Sequence, residues 1–292
     1  MSEQRHSTRY VIVGMLRSGT TATHYCLRGH PSVSAVKKEV GVEPFLTKGF
    51  STFTFGKKGT KAEQKHGVSA LFDAMTSVQR TEERAARGMK FAIAAPALAE
   101  KFVDAVQAHL PDVKIIHVDR SDAVARYASL QKSQQTGTWR QVGDETLHSQ
   151  PRLWVDPEEF AEYVIETRRI RETLGRLQDT HEVLPLSYED VILDGKLATY
   201  DRLFEFVEVK PKEATWLEDR KLSPPPQDYV ENYEELVRCW EILKVKLEQG
   251  ESREALRGQY GVSGLSALRR DIWFWLRRPG YAAYRIQQKF FE

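Results

Sequence analysis

The chain has 292 residues, 41% of them hydrophobic and 29% charged, and its formal net charge is +2. This length is enough for one large domain or for a domain with an appended lobe, and the near-balanced charge does not favour nucleic acid as a partner. No apolar run reaches the ~20 residues that span a bilayer, and the first residues do not have the pattern of a signal peptide. Only two cysteines occur. We therefore expect a reduced, cytoplasmic protein.

Apolar runs alternate with helical patterns along roughly the first two-thirds of the chain. The runs at 10–13, 89–94, 113–118 and 183–186 predict buried strands. Helical patterns follow them, beginning near Gly19, Pro96, Ser121 or Asp122, and Leu197, and a long one runs from Asp156 to about His181. This alternation predicts an α/β fold with a mostly parallel sheet covered by helices on both faces.

The pattern changes after residue 210, where no further strand is indicated and the Pro-rich stretch 223–226 interrupts the chain. We therefore expect a core over residues 1–210 and a helical extension over 211–292 that packs on the core or forms a lid. Residues 268–291 are basic and aromatic. A membrane-surface helix, a homodimer contact, an acceptor-binding lip and simple packing are the alternatives for that segment.

The segment GMLRSGTT, from Gly14 to Thr21, has the frame of a phosphate-binding loop between a strand and a helix. In such a loop, backbone N–H groups and the helix N-terminus bind an anion. Loops that bind nucleoside triphosphates carry a lysine where this chain has Thr20, and the cation here is Arg17 inside the loop. The motif thus predicts an anion site, and a nucleotide kinase or NTPase is the disfavoured alternative.

Two further segments carry residues suited to a nucleotide. In KIIHVDRSDAVARYASLQ, Arg120 follows a predicted strand and Ser129 lies on the next predicted helix, so both can converge on one phosphate. The alternatives are an ion pair of Arg120 with Asp119 or Asp122, and a metal role for Asp119. In LSYEDV, Tyr188 follows another strand, and a merely buried tyrosine is its alternative.

In this order, the three segments resemble the PAPS-dependent sulfotransferase superfamily (PAPS is 3′-phosphoadenosine 5′-phosphosulfate). Their spacing is similar to that of bacterial glycan and glycolipid enzymes of the trehalose or lipopolysaccharide type. The resemblance implies a P-loop-like fold and sulfonate transfer from PAPS to a hydroxyl or amine, leaving adenosine 3′,5′-bisphosphate, without a metal. It assigns the 3′-phosphate to Arg120 and Ser129, the adenine side to Tyr188, and the 5′-phosphosulfate to Arg17, Ser18, Gly19, Thr20 and Thr21.

The same resemblance suggests the catalytic groups. Glu39, in a Lys-Glu pair, is the candidate general base for an in-line transfer, and Glu43, which precedes a proline, is its competitor. Arg17 would stabilise the leaving oxygen. Lys90 resembles a lysine near the transferring sulfonate, with a solvated lysine as the alternative. The expected acceptor is a carbohydrate or glycolipid, and a non-catalytic sulfotransferase-like scaffold is the remaining alternative.

Overall fold

The computed structural model describes residues 7–36, 72, 84–136, 152–193, 197–211 and 224–259. The chain divides into two compact units. One consists of residues 1–151 and 166–229, and the other of residues 152–165 and 230–292. The first unit contains the sheet and every described residue to which the sequence assigned a site role.

The first unit is built on a five-stranded sheet in the order β2-β3-β1-β4-β5, and each pair of neighbouring strands is parallel. The predicted α/β fold is therefore confirmed. Strand β1, which leads into the phosphate loop, lies in the centre of the sheet. The strands are β1 (Thr8–Met15), β2 (Val33–Ala35), β3 (Ala86–Ile93), β4 (Lys114–Asp119) and β5 (Val183–Ser187).

Two of the helices that follow strands begin where the sequence predicts a helix start. Pro96 is at the first position of its helix, and the Asp122 side chain accepts a hydrogen bond of 2.8 Å from the backbone N–H of Ala125. The described helices are α1 (Thr20–Arg28), α2 (Pro96–His109), α3 (Ala123–Thr136), α4 (Pro157–Gly175), α5 (Leu197–Phe206), α6 (Tyr233–Glu248) and α7 (Arg253–Gln259). Helix α4 ends earlier than expected, because its last turn tightens into a 3-10 helix over Arg176–Asp179.

Alternate side chains of β1 fill the cores on the two faces of the sheet. Val11 and Val13 belong to a core cluster that includes α2, whereas Tyr10 and Ile12 belong to one that includes α1 and α5. All four of these β1 side chains are fully buried. The central strand is thereby held from both sides, which fixes the position of the loop that follows it.

The second unit has its own local contacts. Leu153 and Val230 form a parallel bridge, and the Asn232 side chain both accepts from and donates to the backbone of Val155, at 3.0 and 2.7 Å. Among the described helices, none is long and apolar enough to cross a membrane. The aromatic, basic segment 268–291 lies outside the described residues, so its proposed contacts stay predictions.

Gly88, in β3, gives a direct test of the packing of the sheet. A Cβ atom at this position would collide with the backbone oxygen and the ring of Tyr10 on β1. We expect Gly88→Ala to lower the free energy of unfolding by about 2–3 kcal/mol, because neither the backbone nor a fully buried ring can move aside cheaply. Urea denaturation measures this change.

Gly175→Ala is the matched control for this prediction, since a Cβ there would meet nothing within 4 Å. We expect it to change the free energy of unfolding by less than about 1 kcal/mol. Equal destabilisation by the two substitutions would contradict the packing described for β1 and β3.

Candidate active site

The candidate site lies at the carboxyl ends of the neighbouring strands β1 and β4. From β1 the chain passes to β2 and β3 on one side of the sheet, and from β3 it crosses to β4 on the other side. Ligands of parallel α/β sheets bind at such a reversal of strand order, outside the carboxyl ends of the strands. Arg17 follows β1 and Arg120 follows β4, so both predicted cations belong to this edge.

The loop after β1 has the conformation that its glycines permit. A Cβ on Gly14 would collide with the backbone oxygen of Val118 on β4, so only glycine allows the two strands to approach here. Gly19 has φ 95° and Arg17 has φ 67°. A left-handed conformation is costly for arginine, and residues held in that way cluster at functional sites. The Ser18 hydroxyl donates a 2.7 Å hydrogen bond to the Met15 carbonyl and closes the loop.

A hydrogen bond joins the two predicted phosphate-binding segments. The Arg17 Nε donates to the Ser129 Oγ at 2.9 Å, although the two residues are 112 positions apart in the sequence. Burial lowers the pKa of the Arg17 guanidinium, and the charge of Arg120 lowers it further. The loop after β1 and the helix after β4 therefore bring their cations and their hydroxyl group into one cluster.

Arg120 contributes a second guanidinium to this cluster. Its guanidinium carbon lies 4.2 Å from the centroid of the Tyr188 ring, which is a cation–π contact. The Nε atom of Arg120 is buried and has no hydrogen-bond partner among the described residues. A buried donor without an acceptor is costly, so this atom is suited to an anionic ligand.

The backbone of Arg120 is held by two arginines that the sequence did not single out. The Arg120 carbonyl accepts from Arg126 at 3.3 Å and from Arg171 at 2.9 Å. Both arginines also form ion pairs with Asp119, at 3.4 and 2.7 Å. Asp119 thus pairs with these two arginines, and Asp122 caps α3; among the described residues, no ion pair joins either carboxylate to Arg120. Within the described ranges, no group of three or more acidic, His or Cys side chains is arranged for a metal.

Lys90 reaches the phosphate loop from β3. Its side chain is only 4% exposed, and its Nζ donates to the Thr21 Oγ1 at 2.8 Å. This lysine is therefore not the solvated one that the sequence left as an alternative. The loop has threonine, not lysine, at position 20, but the ammonium group of Lys90 lies next to Thr21, the last residue of the loop.

Glu39 and Glu43 lie outside the described residues. The last described residue before them is Val36, whose carbonyl accepts from the His24 Nε2 at 2.7 Å and whose N–H donates to the Gly88 carbonyl at 3.2 Å. Burial lowers the pKa of His24 to about 4, so the ring is neutral and its proton faces that carbonyl. Val36 is thereby fixed against α1 and β3.

The structure adds Lys132 and Tyr229 to the site, and the sequence had suggested neither. The Lys132 Nζ lies 4.8 Å from the centroid of the Tyr229 ring, one helical turn after Ser129 on α3. Tyr229 is buried and follows a short 3-10 helix at Pro226–Asp228. Lys132 could have been predicted from the sequence, because a residue three positions after Ser129 lies on the same face of a helix. No local sequence pattern indicates Tyr229.

Comparison with known proteins gives one match to a family. The model of the sulfotransferase family matches residues 10–213, which is more than half of the chain. No curated protein matches the chain. The phosphate loop and the segments of Arg120 and Tyr188 all fall inside the matched range.

Several solved structures are similar to this one. A sulfotransferase from Alicyclobacillus acidocaldarius is 17% identical, covers 86% of this chain and 99% of its own, and has a TM-score of 0.42. The sulfotransferase domain of a Synechococcus olefin synthase is 14% identical, with coverages of 80% and 86% and a TM-score of 0.47. A sulfotransferase from Mycobacterium tuberculosis is 14% identical, with coverages of 89% and 78% and a TM-score of 0.40. At these TM-scores the similarities carry no weight for the site.

Proposed function

The chain belongs to the sulfotransferase family, and from this membership we propose that it transfers a sulfonate group from PAPS to a hydroxyl group of its acceptor. The observation that carries the proposal is the hydrogen bond from Arg17 to Ser129, because it joins the two segments that the sequence predicts to bind anions. PAPS carries a 5′-phosphosulfate and a 3′-phosphate on the same ribose. A donor with these two anionic groups suits a cluster formed by the loop of Arg17 and the helix of Ser129. The buried Arg120 Nε, which lacks an acceptor among the described residues, is consistent with a bound phosphate.

The proposed reaction assigns one task to each catalytic residue. The acceptor oxygen forms a bond to sulfur while the bond between sulfur and the bridging oxygen breaks. Glu39 takes the proton of the acceptor hydroxyl, which is worth about 10²- to 10⁴-fold in rate for a general base. The electron pair leaves with adenosine 3′,5′-bisphosphate, and Arg17 stabilises the charge that develops on the bridging oxygen. Lys90, hydrogen-bonded to Thr21, adds positive charge beside the loop.

The acceptor class follows from the resemblance alone, and we propose a carbohydrate or glycolipid hydroxyl. The test is to incubate the protein with PAPS and either a neutral sugar or an amino sugar, and to measure the bisphosphate and the sulfonated product. We expect the neutral sugar to be sulfonated with equimolar bisphosphate release. Hydrolysis of Mg-ATP without any turnover of PAPS would contradict the proposal and favour the NTPase alternative.

Arg120→Ala tests the assignment of the 3′-phosphate. We expect about 10- to 100-fold weaker binding of PAPS, because charge-assisted hydrogen bonds to the phosphate are lost. Binding of adenosine 5′-phosphosulfate, which has no 3′-phosphate, is expected to change far less. Isothermal titration calorimetry measures both affinities.

Arg168→Ala is the matched control, because Arg168 is an exposed arginine of α4 whose ion-pair partner among the described residues is Glu172 on its own helix. It is expected to leave both affinities unchanged. Equal weakening of the two nucleotides by Arg120→Ala would remove the assigned role of Arg120.

A further inference from the structure

Lys132 is a half-buried lysine whose Nζ atom is buried, and the reaction described above does not use it. Its Nζ is shielded from solvent and has no hydrogen-bond partner among the described residues. The Tyr229 ring lies beside it, at 4.8 Å from the ring centroid. A ring face attracts a cation but accepts no strong hydrogen bond, so the three N–H donors of the ammonium group remain available to a ligand.

The surroundings of Lys132 concentrate positive charge. Lys132 follows Ser129 by one turn of α3, and the hydroxyl of Ser129 is bonded to Arg17. Tyr229, which packs against Lys132, also lies within electrostatic range of both Arg17 and Arg120. Arg120 and Lys132 each have a buried nitrogen that finds no acceptor in the described part of the chain. Cations held together in this way are stabilised by a shared anion.

We propose that Lys132 is a third cation of the donor site and binds the 3′-phosphate together with Arg120 and Ser129. This inference rests on the proposed function, because it takes PAPS as the donor. It goes beyond that proposal by adding a residue that determines specificity for nucleotides with a second phosphate. Tyr229 serves as a positioning residue that holds the lysine side chain against α3.

The charge state of Lys132 gives the proposal a second readout. Burial lowers the pKa of Lys132 to about 8, and the charge of Arg17 contributes to the shift. Of the groups that face it, Arg17 stays charged, and Tyr229, whose pKa burial raises to about 12, stays neutral at pH 8. A bound phosphate raises the pKa of a neighbouring lysine, so binding should take up a proton near pH 8 and weaken as the pH rises above 8.

The test compares Lys132→Met and Lys132→Arg by calorimetric titration with adenosine 3′,5′-bisphosphate and with adenosine 5′-monophosphate. For Lys132→Met we expect about 10- to 100-fold weaker bisphosphate binding and less than about threefold change for the monophosphate. Lys132→Arg should keep most of the affinity. Titration at pH 8 in two buffers with different ionisation enthalpies should show proton uptake by the wild type and none by Lys132→Arg, because arginine is already charged.

Lys101→Met is the matched control, because it removes an exposed lysine from α2. It should bind both nucleotides as the wild type does. The melting temperature of each variant shows whether it is folded. Unchanged bisphosphate binding by folded Lys132→Met, or equal weakening of both nucleotides, would overturn the role of Lys132 while leaving the proposed function intact. Failure of the wild type to bind the bisphosphate would overturn the proposed function and this inference with it.

Discussion

Arg17→Met is expected to lower turnover of PAPS by about 10²- to 10³-fold, the loss usual when one preorganised group that stabilises a leaving oxygen is removed. Arg17 joins the phosphate loop to α3 through its 2.9 Å hydrogen bond to Ser129. Its loss would remove the positive charge proposed to act on the bridging oxygen, and it breaks the hydrogen bond between the loop and α3. Steady-state release of adenosine 3′,5′-bisphosphate, with PAPS at saturation, measures the effect.

Arg17→Gly separates this catalytic loss from a loss of stability. Arg17 has φ 67°, a conformation that glycine adopts without cost. We therefore expect the free energy of unfolding of Arg17→Gly to stay within about 1 kcal/mol of the wild type, because relief of strain offsets the greater freedom of the unfolded chain. Turnover should fall as far as in Arg17→Met. A turnover near that of the wild type in either variant would contradict the role of Arg17.

Glu39→Gln is expected to lower turnover by about 10²- to 10⁴-fold, because glutamine cannot accept the proton of the acceptor hydroxyl. The affinity for adenosine 3′,5′-bisphosphate should change by less than about twofold, since the base acts on the acceptor and not on the donor. Turnover is measured by product release and affinity by calorimetry.

Glu43→Gln is the matched variant, because it makes the same chemical change four residues away at the competing candidate. We expect it to keep turnover within about threefold of the wild type if the base is Glu39. A large loss in Glu43→Gln together with normal turnover in Glu39→Gln would move the base to Glu43. Val36, the last described residue before both glutamates, is held by hydrogen bonds to His24 and to Gly88 of β3, the strand that carries Lys90.

Local patterns in the sequence were enough to predict the parts of the site that depend on neighbours along the chain. The glycine frame of the loop, the strand before Arg120 and the helix that carries Ser129 are each encoded within about 20 residues. The ends of the strands were harder to predict from the sequence. The apolar run predicts a strand from residue 89, whereas β3 begins at Ala86, where it pairs with Thr8 of β1. The polar Arg87 gives no sign of this pairing.

The contacts that complete the site come from residues far apart in the chain. Arg126 is fully buried because Asp119 and the Arg120 carbonyl accept its donors, whereas composition alone would place an arginine on the surface. Arg171 reaches Asp119 from α4, 52 positions later, and Tyr229 meets Lys132 across an even longer separation. No periodicity or spacing encodes such pairings, since they depend on how the helices pack on the sheet.

The melting temperature of the wild-type protein with adenosine 3′,5′-bisphosphate, compared with Mg-ATP, is the most direct test that this site binds a PAPS-type nucleotide. A ligand at 100 times its dissociation constant stabilises the folded state by about 2.7 kcal/mol. For a protein of this size we expect the bisphosphate to raise the melting temperature by about 5 °C or more, and Mg-ATP to raise it far less. Equal or greater stabilisation by Mg-ATP, or no shift with the bisphosphate, would contradict the proposed donor.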